Sequence, residues 1–267
     1  YEIAQCLVGS GVYKRQTWDA MLLAAATYEG NLNSSSGLVG GDGRRMEEYI
    51  HSAVTESLCG EYVDTCIAGA LQMGESNACM KRIVAAPTAG ACGVLPAVLV
   101  PYFQKRCRNT DKILKAMYVA AGIGQIIATR SSISGAAGGC QAEIGSASSM
   151  AAGALTYLQG GNCKQIATAA AMAMKNLLGL VCDPVAGLVE VPCVKRNVIG
   201  TVNAMACADM AMAGITSRIP PDQVMDAMKE VGDKMDASLR ETALGGLART
   251  EEGVKIAEKM HASQENW

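Results

Sequence analysis

The sequence predicts an all-α protein, and three observations support that expectation. Apolar residues recur at helical spacing along most of the chain. No segment sustains the two-residue alternation of a half-buried strand. Half of the 267 residues are hydrophobic, yet only 4% are aromatic and 29 are glycine, so a core of small and aliphatic side chains on closely packed helices is expected. Gly-rich loops and Cys-Asp-Pro and Pro-Cys turns should then enclose a site between the helices. With no low-complexity linker or internal repeat, residues 1–267 read as one compact multi-helix domain.

The elements follow in chain order. From Arg44 onward Met46, Ile50, Val54, Leu58, Tyr62 and Cys66 recur every four residues, which predicts one long amphipathic helix with a core stripe. Thr110 and Asp111 are placed to cap a helix running to Arg130. Asn162, with Gln165 three residues on, has the pattern of a capping box that opens the Ala- and Met-rich stretch 166–178. Residues 188–191 are too short and too near Pro192 to make a sheet. Pro220 and Pro221 before Asp222 suit a helix start, after which Val224, Met228 and Val231 share one face.

Composition also excludes whole classes of function. The 23 basic and 25 acidic residues leave a formal net charge of −2, which gives nucleic acid no electrostatic footprint. Arg130, Glu143 and Lys175 interrupt the longest apolar runs before they reach the roughly 18–20 residues of a membrane span, so the mean hydropathy of +0.17 is assigned to buried helices and no membrane is expected. The 11 cysteines are odd in number, and no charged segment followed by an apolar one opens the chain. A secreted disulfide framework is therefore a poor fit, and a reducing cytoplasm is expected.

Two small-residue segments, 85–93 (AAPTAGACG) and 134–145 (SGAAGGCQAEIG), read as loops running into apolar helices. Glycine lets backbone approach a ligand, and a helix N-terminus directs free N–H groups at an anion such as a carboxylate. The same glycines would equally serve close helix packing. Among the cysteines, Cys140 follows two glycines, Cys182 precedes Asp183-Pro184, and Cys193 follows Pro192, which puts the last two on stiff turns. The other eight (Cys6, Cys59, Cys66, Cys79, Cys92, Cys107, Cys163 and Cys207) read as small core hydrophobes. The spacings match neither a CxxC zinc pattern nor a ferredoxin run. The residues themselves indicate only a thiolate site with a preference for a soft metal.

The segments 83–99 (IVAAPTAGACGVLPAVL), 132–155 (SISGAAGGCQAEIGSASSMAAGAL) and 176–200 (NLLGLVCDPVAGLVEVPCVKRNVIG) resemble the alpha, catalytic chain of the iron–sulfur-dependent L-serine dehydratases. So do 34–43 (SSSGLVGGDG) and 241–253 (ETALGGLARTEEG), and the likeness covers most of the chain. The resemblance implies an all-helical domain in which Cys140, Cys182 and Cys193 hold a [4Fe–4S] cluster. In single-chain relatives a C-terminal cysteine can bind the fourth iron. This sequence ends HASQENW, so the resemblance implies the separate-subunit form, a hetero-oligomer with a β subunit, in which the open iron acts as a Lewis acid for the β-hydroxyl of L-serine. Pyruvate and ammonia would be the products, and no pyridoxal phosphate is needed.

Two charges stand alone between Ala116 and Cys163: Arg130 and Glu143. An isolated charge in so apolar a stretch is paired or functional. Glu143 is the candidate for proton transfer, unless the base comes from a second subunit. Arg130 could grip the substrate carboxylate, or the two could pair with each other. Lys195 and Arg196 compete for the carboxylate, and Thr88, Ala89, Gly90 and Ser36 complete the candidate substrate contacts. His51 and His261 lie among polar residues and read as solvated. Two alternatives stay open: desulfhydration of L-cysteine by related chemistry, and a cluster-free helical subunit that binds a small carboxylate.

Overall fold

A computed structural model describes residues 11–52 and 56–264. Among them are eleven α-helices and no strand: α1 (Gly11–Ala26), α2 (Asp42–His51), α3 (Gly60–Ala78), α4 (Val94–Lys105), α5 (Thr110–Arg130), α6 (Gly135–Gly138), α7 (Ser146–Leu158), α8 (Cys163–Lys175), α9 (Cys193–Met212), α10 (Pro221–Lys234) and α11 (Glu251–Gln264). No helix of the described residues is long and apolar enough to cross a membrane.

Helix α7 is the centre of the core because its sequence, SASSMAAGALTYL, is almost entirely small or apolar, and every residue except Tyr157 is buried. Its buried hydroxyls are satisfied by carbonyls: Ser148 donates to Gly200 O at 2.8 Å, Ser149 to Ala170 O at 2.6 Å and Thr156 to Ala152 O at 2.8 Å. Helices α4, α5, α8 and α9 surround it. A Cβ at Gly153 would collide with Ile123 Cδ1 of α5, so here glycine does serve close helix packing. A smaller cluster joins Val224, Met225 and Met228 of α10 to Ile127, Ala171 and Met174.

The local signals in the sequence have mixed outcomes. The capping box forms: Gln165 N donates to Asn162 Oδ1, and Asn162 N to Gln165 Oε1, both at 3.0 Å. Pro221 is the first residue of α10, and Val224 and Met228 are buried. Helix α5 runs to Arg130 as expected, but its cap is Asn109, whose side chain accepts from Lys112 N at 3.0 Å.

The single helix expected from Arg44 through Cys66 is two helices, α2 and α3. An apolar residue at every fourth position drifts about 40° per step around a 3.6-residue helix, so six such residues sweep about 200° and define no one face. Leu58 is fully exposed, Val54 lies outside the described residues, and Ser57 Oγ accepts from the Cys59 and Gly60 amides at 3.2 Å each, with Gly60 at φ 77°. Helix α2 has no side-chain cap of its own. Instead the fully buried Glu75 of α3 accepts from Asp42 N at 2.5 Å, Gly43 N at 3.3 Å and the Tyr28 hydroxyl at 2.6 Å.

The segment 134–145 is a second departure: α6 occupies Gly135–Gly138, and one π-helical turn spans Gln141–Gly145. Of the eight cysteines assigned to the core, Cys66, Cys92 and Cys207 are buried, Cys79 and Cys107 are half-buried, and Cys59 and Cys163 are exposed. Cys6 lies outside the described residues. Cys59 sits at the exposed entry to α3 and Cys163 at the first turn of α8, where burial is least.

Candidate metal and substrate site

Three separate stretches of chain bring Cys140, Cys182 and Cys193 together. Cys140 is positioned by Gly139, whose φ of 75° lies in the left-handed region. A Cβ there would meet Met235 Sδ at 2.7 Å and Leu180 O at 2.9 Å. Glycine is therefore required at that turn. The next residue, Gln141, is fully buried and fastens the neighbouring stretch. Its amide donates to Leu180 O at 2.8 Å, its Oε1 accepts from Gly179 N at 2.9 Å, and its Nε2 donates to Met228 O at 3.0 Å.

Cys182 lies two residues beyond that anchor, on a turn held from the other side by the segment before α11. Its amide donates to Leu239 O and its carbonyl accepts from Glu241 N, each at 2.8 Å. Asp183 is buried and accepts from Leu247 N at 2.8 Å. Cys193 opens α9 directly after Pro192. One turn on, Asn197 joins this helix to residues 85–93: its Oδ1 accepts from Gly93 N at 2.8 Å, and its Nδ2 donates to Gly90 O at 2.8 Å and Cys193 O at 3.0 Å.

All three cysteines are buried, and their thiols differ in character. The Cys182 thiol donates to the Cys140 sulfur and, with the Arg196 guanidinium, holds Cys140 below the ordinary thiol range despite its burial. The same shared proton, with burial, pushes Cys182 up. Cys193 is raised to about 12, mainly by burial and then by the charge of Cys140. Arg196 also donates to Val181 O at 2.7 Å and to Asp183 Oδ1 at 2.8 Å, closing the Cys182 turn from within. It is a half-buried cation beside the thiols, whereas Lys195 is exposed and pairs with Asp42 of α2 at 3.1 Å. Adjacent helical residues point about 100° apart, and here that angle separates an inward charge from an outward one.

Glu143 lies against the same thiols. Its carboxylate oxygen and the Cys140 and Cys182 sulfurs all fall within 4.8 Å of one another. Burial raises its pKa, while the facing Thr88 hydroxyl and Gly135 amide act in the opposite direction. The Thr88 oxygen is buried and has no partner at full hydrogen-bond geometry. Gly90 and Gly135 keep this space clear: a Cβ on Gly90 would sit 3.1 Å from Glu143 Oε2, and one on Gly135 would sit 3.0 Å from Cys182 Sγ. Ala89, between Thr88 and Gly90, is exposed.

A family model described as "Serine dehydratase alpha chain" matches residues 12–248, a span that includes all of these residues. The chain belongs to that family. It is similar to the probable L-serine dehydratase alpha chain of Bacillus subtilis, with 46% identity over 251 residues that cover 93% of this chain and 83% of the relative. The L-serine dehydratase alpha chain of Peptoniphilus asaccharolyticus is 46% identical over 219 residues, 82% of this chain and 74% of the relative. L-serine dehydratase 1 of Escherichia coli is 46% identical over 181 residues, which cover 67% of this chain but only 40% of that protein.

Within this family member, the other expected substrate residues have partners of their own. Arg130 does not pair with Glu143. Its guanidinium holds Asp226 of α10 at 2.8 and 3.2 Å and approaches Asp222 at 3.8 Å. Ser36 donates to the buried Glu190 at 2.5 Å, and Ser34 donates to the same oxygen at 3.0 Å, tying the 34–36 turn to the stretch before Cys193. His51 and His261 are exposed, as expected. Sequence reasoning passed over Gln141, Asp183, Glu190 and Asn197. Of these only Asn197, one helical turn after Cys193, carries a local signal of facing the site.

Proposed function

We propose that this chain is the iron–sulfur subunit of an L-serine dehydratase, removing water from L-serine to give pyruvate and ammonia. The observation that carries the proposal is the convergence of three buried thiols beside the half-buried Arg196 guanidinium. That donor set suits a thiolate-bound cluster, and the names of the relatives supply the substrate. Cys140, Cys182 and Cys193 would hold a [4Fe–4S] cluster, which when bound supplies a Lewis acid for departure of the serine hydroxyl. No pyridoxal phosphate enters this scheme.

The chain's own residues have distinct parts. The 88–90 turn, just before α4, offers the Thr88 hydroxyl beside Glu143 and the exposed Ala89 to the substrate carboxylate. Glu143, with its raised pKa, can hold and move a proton beside the thiols. Ser36, Arg130 and Lys195 act by fastening turns and helices. The name "alpha chain" carried by the relatives supports a β partner in a hetero-oligomer, and the thiol-rich site supports a reducing cytoplasm.

Anaerobic purification and reconstitution test the proposal. The expected result is bound iron and labile sulfide together with pyruvate formation from L-serine, assayed with the chain alone and with a β chain added. Cys140→Ala, Cys182→Ala and Cys193→Ala should each abolish activity and lower iron content. Absence of iron and sulfide after reconstitution would sink the cluster, and faster pyruvate formation from L-cysteine by an order of magnitude would move the substrate.

A further inference from the structure

Helix α3 presents one face to a cleft that is separate from the cysteine site. Glu61, Thr65, Ala68, Gly69, Gln72 and Met73 lie at helical spacing along that face. The cleft has a volume of about 490 Å³ between α1, α2, α3 and α4, and none of Cys140, Glu143, Cys182 and Cys193 lines it. Its floor is aliphatic, with Ala25 of α1, Ala68 and Gly69 of α3, and Ala97, Val100 and Pro101 of α4. No aromatic ring of the described residues lines it, so a slender aliphatic body fits where a stacked ring would not. Gln72 is the polar group set into this floor. It is only 8% exposed, and its carboxamide has no hydrogen-bond partner among the described residues. A buried amide without a partner costs free energy that a hydrogen bond from a ligand recovers.

The charges around the cleft select the sign of its ligand. Lys105 is already engaged, since it donates to Glu61 at 2.7 Å and to Thr65 at 3.1 Å. Glu47 of α2 has no ion pair among the described residues, and His51 is the remaining titratable group on the wall. Glu47 and Gln72 belong to one end of the cleft: a Cβ on Gly43 would sit 2.7 Å from Gln72 Cγ, and Glu47 follows Gly43 by one helical turn. Beyond Glu61, the buried Asp64 has an unpartnered Oδ2. With the exposed Glu56, it lines an adjoining cavity that shares Ile50, His51 and Glu61 with this one. With His51 neutral, Glu47 and Asp64 are thus left without a counter-ion among the described residues. An excess of negative charge beside apolar walls favours a cationic ligand over an anionic one.

We propose that this cleft binds a small primary aliphatic amine in its ammonium form. The hydrocarbon body lies on the alanine and proline floor, and the ammonium donates to Gln72 Oε1 and to the Glu47 carboxylate. This is a binding site in which no bond is made or broken, and it is independent of the cluster and of the serine reaction.

n-Butylammonium chloride is the probe, titrated into the full chain and followed by ligand-observed NMR. One saturable site is expected, with affinity rising about fourfold for each methylene from ethyl- to n-butylammonium. n-Butanol and sodium n-butyrate should each displace the probe at least about tenfold less effectively than n-butylammonium itself. Gln72→Leu removes the amide and keeps an apolar side chain of similar size, and should weaken binding at least about tenfold. It should not lower the stability read by circular dichroism, because the amide bonds nothing in the free protein. Ala26→Trp changes an exposed residue at the rim of the cleft and should block the probe. No saturable binding to the wild type, or wild-type affinity in either variant, overturns the site. Equal displacement by n-butyrate or n-butanol overturns the ammonium ligand, and an affinity independent of chain length overturns the aliphatic floor. A destabilised Gln72→Leu would show that the amide is already engaged in the free protein and overturns the proposal as well.

Discussion

Replacing Asn197 by alanine should detach the 85–93 segment from the cysteine site at a measurable cost in stability. The Asn197 side chain is buried and is the side-chain partner of Gly93 N and Gly90 O, at 2.8 Å each. Cys193 O also loses a bond, but as the first residue of α9 it lies where the helical i+4 amide serves it as well. Alanine thus orphans one buried donor and one acceptor. At about 1–3 kcal/mol for each unsatisfied group, the loss is roughly 2–6 kcal/mol. Urea unfolding followed by circular dichroism measures it. Asn197→Asp, which keeps the acceptor but sets a carboxylate against two carbonyls, should cost at least as much. An alanine variant within about 1 kcal/mol of wild type, the scale of an ordinary substitution, would show that Asn197 does not hold this segment.

Further outcomes follow from burial and space. Thiol labelling of the folded chain should modify Cys59 and Cys163 first. Cys66 and Cys92, buried and raised to about 12, should react only on unfolding even at mildly alkaline pH, as mass spectrometry would show. Cys59→Ala and Cys163→Ala should each change stability by no more than about 0.5 kcal/mol. Gly135→Ala should leave helix content unchanged but reduce metal loading, because its Cβ would press on Cys182 Sγ and Glu143 Oε2 at 3.0 and 3.1 Å; equal metal content in the variant would show that the space tolerates it. Arg130→Gln breaks an exposed ion pair and should cost about 0.2–1 kcal/mol with no change in KM. A large rise in KM would return Arg130 to the substrate.

The features legible in the sequence are those fixed within a few residues of themselves. The Asn162–Gln165 box, the Pro221 helix start and the helical nature of the α7 segment depend on near neighbours, and they form as expected. The long helix expected from Arg44 through Cys66 failed for a comparable reason. Its four-residue spacing describes no single face, and the interruption lies in Ser57 and a left-handed Gly60. The three convergent cysteines could be selected by their glycine and proline neighbours and by resemblance, but not by spacing, since they lie on separate stretches of the chain.

The sequence by itself determined a helical chain with a small-residue core and three cysteines set on constrained turns. Only the tertiary structure decided what the charges do. Arg130 and Glu143 are neighbours in an apolar stretch, yet one binds α10 at the surface and the other faces two thiols. Lys195 and Arg196 are adjacent, yet one is solvated and the other half-buried against Asp183. The physical reason is that propensity and capping act over one helical turn, whereas a charge takes its role from partners brought to it by packing, here tens of residues away along the chain.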